Sequence, residues 1–180
     1  MATRNVRVLA GALLLLGIGS AARAAERFGI GRPATEAEIA AWNIDIDRDG
    51  RKLPPGSGSV AHGREVFEAQ CASCHGTRGE GGTGERLAGG VGTLASAKPV
   101  KTVGSFWPYA PTLFDYIRRA MPMNAPQSLS DDDVYAVSGY VLHLNGLAPE
   151  GAVFDAHSLA AIRMPNRDGF VPDPRPDVKP

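Results

Sequence analysis

Cys71-Ala72-Ser73-Cys74-His75 decides how this chain is read. The stretch is C-x-x-C-H. At that spacing two thiols add to the vinyl groups of one haem, and the histidine that follows meets the iron as its proximal ligand. The composition removes the competing readings. These are the only two cysteines among 180 residues. A structural zinc site uses four Cys or His ligands, usually as two pairs, and no second pair exists. A thioredoxin-like dithiol belongs beside a βαβ pattern, which is absent. A disulfide between Cys71 and Cys74 would close a very short loop and add little stability. One covalent haem c, anchored by Cys71 and Cys74 and ligated by His75, is the expectation.

The chain upstream agrees with an exported protein. Arg4 and Arg7 precede an apolar run over residues 8–19, and Ala22-Arg23-Ala24 offers small residues where a signal peptidase cuts. Residues 1–24 are expected to be a signal peptide and the destination the periplasm. The apolar run falls short of the roughly 20 residues a membrane span needs; an uncleaved N-terminal anchor is the alternative. Removing residues 1–24 takes away three arginines and no acid, so the formal charge falls from zero to −3. A mildly acidic chain has neither a basic stripe for nucleic acid nor a polybasic membrane patch. No nucleic-acid partner and no stable membrane span are expected.

Residues 25–58 read as an N-terminal arm. It holds one short helix over residues 35–42, capped by Thr35 with Glu38 three residues on, and then a Pro/Gly linker from Leu53 to Ser59. Asp45, Asp47, Asp49 and Gly50 imitate the start of a calcium loop, but Gly56 stands where its twelfth-position Glu is required, so a solvated acidic turn is expected. Residues 59–147 form the expected haem domain. A helix runs from near Ser59 into Cys71, with Gly63, Phe67 and Cys71 on one face. Glycine at 63 allows a second helix to approach, and Phe67 is placed against the haem edge. The glycine-rich stretch 76–105 reads as a loop around the haem. Phe106-Trp107-Pro108-Tyr109 is an aromatic cluster whose polar tips suit haem propionates; plain core packing is the competing account. Residues 112–120 read as a short helix with Leu113, Tyr116 and Ile117 inward. A last helix starts at Ser130, with Asp133 at the capping-box position and Leu129 and Val134 as a hydrophobic staple, and stops at Asn145-Gly146. Residues 148–180 are rich in proline and read as an extended tail on the surface.

The second axial ligand has five candidates: Met121, Met123, Met164, His62 and His143. A thioether suits an iron that cycles between two oxidation states. Met121 lies in a loop between two expected helices, which the proline after it holds out of helical geometry, where a distal ligand has to come from; it is favoured because its Met-Pro pair resembles the ligand context of small cytochromes c. Met123 is the nearest rival, and Met164 lies in the tail. Ligation on both sides leaves the iron no open position, so electron transfer is expected rather than chemistry on a bound substrate.

Helix, C-x-x-C-H, glycine-rich loop, Met-Pro and capped last helix together resemble a class I cytochrome c: all-α, about three to five helices around one covalent haem, here with extended N- and C-terminal arms. Further stretches are similar to the SoxD-type cytochrome subunits of periplasmic molybdenum sulfite or sulfane dehydrogenases. They are residues 31–59, Gly104-Ser105-Phe106-Trp107-Pro108-Tyr109-Ala110, Phe114 to Pro122, and Ile162-Arg163-Met164-Pro165-Asn166. Many such subunits carry a second cytochrome domain, whereas this chain has one C-x-x-C-H. The resemblance implies Cys71 and Cys74 as thioether anchors, His75 and Met121 as iron ligands, and Trp107 and Tyr109 in the haem pocket. It implies an electron-transfer subunit, not itself catalytic. A molybdenum dehydrogenase subunit would be its donor and a downstream cytochrome or terminal oxidase its acceptor. Beyond the resemblance, residues 25–58 and 147–180 are expected to dock on that catalytic partner. The alternative is a diffusible periplasmic carrier for another dehydrogenase. A cytochrome c′ would have its haem motif near the C-terminus, and a dihaem peroxidase would need a second motif.

Overall fold

The computed structural model describes residues 30–175; the expected signal peptide lies outside them. The chain divides after Thr35. Of the first unit only residues 30–35 are described, and they contain no helix or strand. The second unit contains α1 (Glu36–Trp42), β1 (Ser57–Ser59), α2 (Val60–Gln70), α3 (Ala72–His75), α4 (Ala110–Ala120), α5 (Asp131–Leu144), β2 (Val153–Asp155) and α6 (Ala156–Ala160).

The long helices begin where their caps are. The Ser59 hydroxyl accepts from the His62 N–H (3.1 Å) and starts α2. The Ser130 hydroxyl accepts from the Asp133 N–H (3.1 Å) and starts α5. The expected capping box is only half made there: the Asp133 carboxylate takes the Ser130 hydroxyl (2.6 Å) instead of reaching its backbone N–H. Three aspartates in the first turn of α5 also suit the positive end of its dipole.

Helices α2 and α5 pack on each other through glycine. Gly63 lies flush on the Ala136 carbonyl, and Gly58 on the Ala136 N–H, so that a Cβ at either position would overlap backbone. This is the close approach expected of Gly63. It brings Phe67 edge-on to Tyr140 (5.3 Å, 60°), fully buried; burial of one such ring stabilises the fold by about 2–3 kcal/mol. Helix α4 adds Ala110, Leu113, Phe114 and Ile117 to the same core, with Phe114 4.4 Å from Tyr135 between ring centroids. Tyr116, expected inward, is half exposed: Phe114, four residues after Ala110, holds the inward position, and Tyr116 falls to the flank.

Both terminal segments contribute more than extended chain. Ile46 is buried and its N–H donates to the Asp115 carboxylate (2.9 Å). The Tyr135 hydroxyl donates to the Pro54 carbonyl (2.7 Å). Strand β1 pairs antiparallel with β2, Gly58 opposite Phe154. The tail then supplies Phe154, Leu159 and Met164 to the core. These three are five residues apart, a spacing that matches neither helix nor strand, because each sits on a different element. The aspartates of the acidic turn are taken up internally: Asp45 by Lys52 (3.2 Å), and Asp47 and Asp49 by Arg51 (2.9 and 3.4 Å).

Candidate functional site: the Cys71–His75 turn and its loop

Helix α2 ends at Cys71, which is both its cap and the first residue before α3. The Cys74 and His75 N–H groups donate to the Cys71 carbonyl (3.1 and 3.0 Å), so one turn gathers both thiols and the imidazole. The thiols are not bridged to each other. Burial, with a smaller contribution from Cys74, pushes the Cys71 thiol up to about 11, so it stays a neutral thiol at physiological pH. Among the described residues, no three His, Cys, Asp or Glu side chains come together to hold a metal by themselves. A porphyrin iron makes no such demand, since the ring supplies four ligands and the protein supplies the axial ones.

The imidazole is oriented by the loop that follows. His75 Nδ1 lies 2.7 Å from the Glu85 carbonyl oxygen. A carbonyl only accepts, so Nδ1 carries the proton and Nε2 keeps its lone pair for a metal. The loop is drawn back by the Gly81 N–H on the His75 carbonyl (2.7 Å) and the Gly84 N–H on the Cys74 carbonyl (2.8 Å). Gly84 lies against the ring itself: a Cβ there would stand 2.9 Å from Cε1 and 3.0 Å from Nδ1. The loop is then tied to α5 by Asn145, whose amide donates to the Leu87 (3.1 Å) and Val141 (2.9 Å) carbonyls and accepts from the Gly89 N–H (3.1 Å). Gly104 has no room for a side chain against the same amide.

Of the five candidates for the second ligand, the structure separates the methionines clearly. Met121 caps α4 in an extended conformation and is half-buried against the core. Met123 is 78% exposed, and Met164 is wholly enclosed in the core. His62 is engaged by Asp133 (2.7 Å) and Glu65 (3.4 Å). His143 is half-buried, with Nδ1 on the Ala148 carbonyl (3.0 Å) and its ring stacked on Tyr140. Cys71, Trp107 and Met121 all lean on one core cluster while keeping part of their surface uncovered. Trp107 meets Tyr116 edge-on (5.8 Å). Tyr109 is half-buried under the guanidinium groups of Arg48 and Arg167. Phe67 is fully enclosed and edge-on to Tyr140.

Glu85, Gly84 and Asn145 were not legible as site residues. The first acts through its backbone, the second through a missing side chain, and the third looked only like a helix stop. No pattern of residue types announces a carbonyl contact across a ten-residue loop.

Comparison with known proteins follows the same outline. The cytochrome c family matches residues 60–145, from the start of α2 to Asn145. A chain in the crystal structure of the sulfane dehydrogenase SoxCD from Paracoccus pantotrophus superposes with a TM-score of 0.77 at 45% identity, over 83% of this chain and 74% of that one. The thiosulfate dehydrogenase of Stutzerimonas stutzeri is 32% identical over 89 residues, 49% of this chain but only 28% of that protein's length. Photosystem II extrinsic protein V of Rippkaea orientalis is 27% identical over 122 residues, covering 61% of this chain and 76% of the other. No described helix is long and apolar enough to cross a membrane. A C-x-x-C-H turn with a tautomer-fixed histidine, a half-buried methionine at the end of α4 and a likeness spanning most of the chain lead to one statement: this protein belongs to the cytochrome c family.

Proposed function

We propose that the chain is a periplasmic monohaem cytochrome, the electron-transfer subunit of a molybdenum sulfite or sulfane dehydrogenase, passing electrons on to the respiratory chain. Cys71 and Cys74 would hold the haem through thioethers, His75 Nε2 and the Met121 sulfur would ligate its iron, and Trp107 and Tyr109 would line the pocket. When bound, the haem supplies reversible one-electron chemistry. The chain's own part is to fix the His75 tautomer through the Glu85 carbonyl and to keep the ring rigid with Gly84 against it. A second part is to set Met121 at the edge of an apolar core that raises the potential.

The observation that carries the choice of partner is the 45% identity to a chain of SoxCD over most of both chains. The test is purification of the tagged full-length protein from the periplasm of a sulfur-oxidising host. The expected result is a red complex with a second, larger protein, and molybdenum stoichiometric with haem. Haem without molybdenum or a stable partner would favour a diffusible carrier instead.

A further inference from the structure

We propose that Asp115 is a positioning residue for Met121: its carboxylate locks α4 to the chain at Ile46 and so fixes where the Met121 sulfur stands. This rests on the reading of Met121 as an iron ligand. It extends that reading to a bond made outside the stretch that the cytochrome c family matches.

Asp115 is 8% exposed, and a carboxylate is costly to enclose unless its oxygens are paired. Both are. Oδ1 accepts from the Ile46 backbone N–H (2.9 Å), 69 residues earlier in the chain. Oδ2 accepts from Arg119 through Nε (3.1 Å) and Nη2 (2.5 Å). The two sets of bonds act differently. Arg119 stands one turn further along the same helix, so it ties α4 to nothing else; its planar fork holds the plane of the carboxylate. Oδ1 is thereby aimed at Ile46. The segment that presents this N–H is itself held, since the Lys52 ammonium donates to Asn43 (3.1 Å) and Asp45 (3.2 Å), and the Ile46 side chain is buried.

Such a bond supplies what the core around α4 lacks. Leu113, Phe114 and Ile117 hold the helix by burial. Apolar burial is non-directional, so it resists lifting of a helix more than sliding or rolling. A hydrogen bond is directional and restrains both. Asp115 lies about 9 Å along the axis from Met121 at the usual helical rise. The Met121 N–H continues the ladder onto the Ile117 carbonyl (3.0 Å), so a shift at Asp115 is carried to Met121 through one stiff helix.

The residue has to be an acid. Both oxygens of a carboxylate accept, whereas an asparagine offers one acceptor oxygen and one donor NH2. Asp115→Asn can therefore satisfy Ile46 or Arg119, and turns a donor on the other. Adding Arg119→Gln removes the conflict: the new carbonyl oxygen takes the asparagine NH2, and the asparagine oxygen keeps the Ile46 N–H.

The test uses full-length, haem-loaded ferric protein with imidazole as the probe. Imidazole reaches the iron on this side only after Met121 leaves it, so its limiting entry rate reads how firmly Met121 is held. Asp115→Asn should admit imidazole about tenfold faster, as expected when a charge-assisted hydrogen bond no longer restrains that step. Hydrogen exchange of the Met121 amide should rise relative to the amides of α5. Asp115→Asn with Arg119→Gln should come back to within about threefold of wild type, whereas two independent losses of stability would add. Ser59→Ala is the control. It removes the α2 cap on the His62 N–H (3.1 Å) and lowers stability away from α4, and should leave imidazole entry within about twofold of wild type. A wild-type entry rate in Asp115→Asn overturns the proposal. So does a double variant faster than Asp115→Asn alone, or a Ser59→Ala protein that admits imidazole as fast. If Asp115→Asn does not accumulate, Arg119→Ala carries the test: it frees the plane of the carboxylate from a half-exposed position and should also speed entry, and an unchanged rate refutes the role. Wild-type protein without the near-infrared sulfur-to-iron band, or whose band survives Met121→Ala, would remove the Met121 reading itself, a failure distinct from all of these.

Discussion

Replacing Gly84 by alanine tests how the His75 ring is held. The new methyl would stand 2.9 Å from His75 Cε1, 3.0 Å from Nδ1 and 3.3 Å from the Cys74 carbonyl oxygen. Gly84 has no left-handed φ, so alanine meets no backbone penalty and the effect is steric alone. None of the three neighbours is the loose end of a flexible side chain: the ring is fixed by the Glu85 carbonyl at 2.7 Å and the Cys74 carbonyl by the Gly84 N–H at 2.8 Å. The loop must therefore move off the ring and lengthen the Nδ1 bond. Overpacking of this kind costs about 1–3 kcal/mol, of which the bond itself accounts for about 0.5–1.5 kcal/mol. A guanidinium titration of the haem-loaded variant should show that loss at unchanged m-value. The potential should rise as well, because an imidazole whose N–H is less well accepted donates less charge to the iron. Gly151→Ala is the control: nothing lies within 4 Å of its Cβ position, and alanine there should be neutral or stabilising by under about 1 kcal/mol. A Gly84→Ala protein as stable as wild type, with the same potential, would show that the loop does not orient His75.

Other perturbations separate the remaining parts of the argument. Met121→Ala should abolish the weak near-infrared sulfur-to-iron band and lower the potential, while Met123→Ala, at an exposed position, should leave both unchanged; the opposite pattern would transfer the ligand role. Gly63→Ala would drive a methyl into the Ala136 carbonyl and should destabilise the protein by about 3 kcal/mol or more in denaturant titration. The hydrogen bond to Asp133, and secondarily that to Glu65, raises the His62 pKa above its ordinary 6.5. Its stabilising effect is fully present below about pH 6.5 and is lost as pH rises through the raised folded value. The melting temperature should therefore fall across that window, and His62→Gln should flatten the slope.

The sequence revealed most where one residue type has one physical use. C-x-x-C-H pointed to a turn that does gather Cys71, Cys74 and His75, Ser59 and Ser130 located two helix starts, and Gly63 forecast the close helix crossing. It revealed least where backbone groups act. The hold of Glu85 on His75 depends on a carbonyl every residue possesses, and the Asn145 bonds to Leu87, Gly89 and Val141 depend on how a glycine-rich loop happens to close. Tyr116 shows a third kind of loss. Helical spacing gives the buried stripe only to within about one residue, and Phe114 displaced it from the core.

The terminal segments change what the folded unit is. The stretch matched by the cytochrome c family ends at Asn145, yet the core does not: Phe154, Leu159 and Met164 lie beyond it, and Ile46 lies before its start at Val60. The prolines of the tail are compatible with this because β2 and α6 are both short and precede Pro165. Helix α1 differs from these segments. It buries no residue, and Trp42 is 87% exposed. A large aromatic left uncovered on a seven-residue helix gains nothing for the isolated chain. Two parts of the N-terminal segment thus do different work. Residues 46–59 stabilise the haem domain, and loss of Ile46 with its N–H bond to Asp115 would weaken α4 and with it the position of Met121. Residues 36–42 are dispensable to that core. A truncation meant to probe partner binding should therefore stop at Trp42, since one that runs to Gly50 removes a core contact and confounds docking with folding.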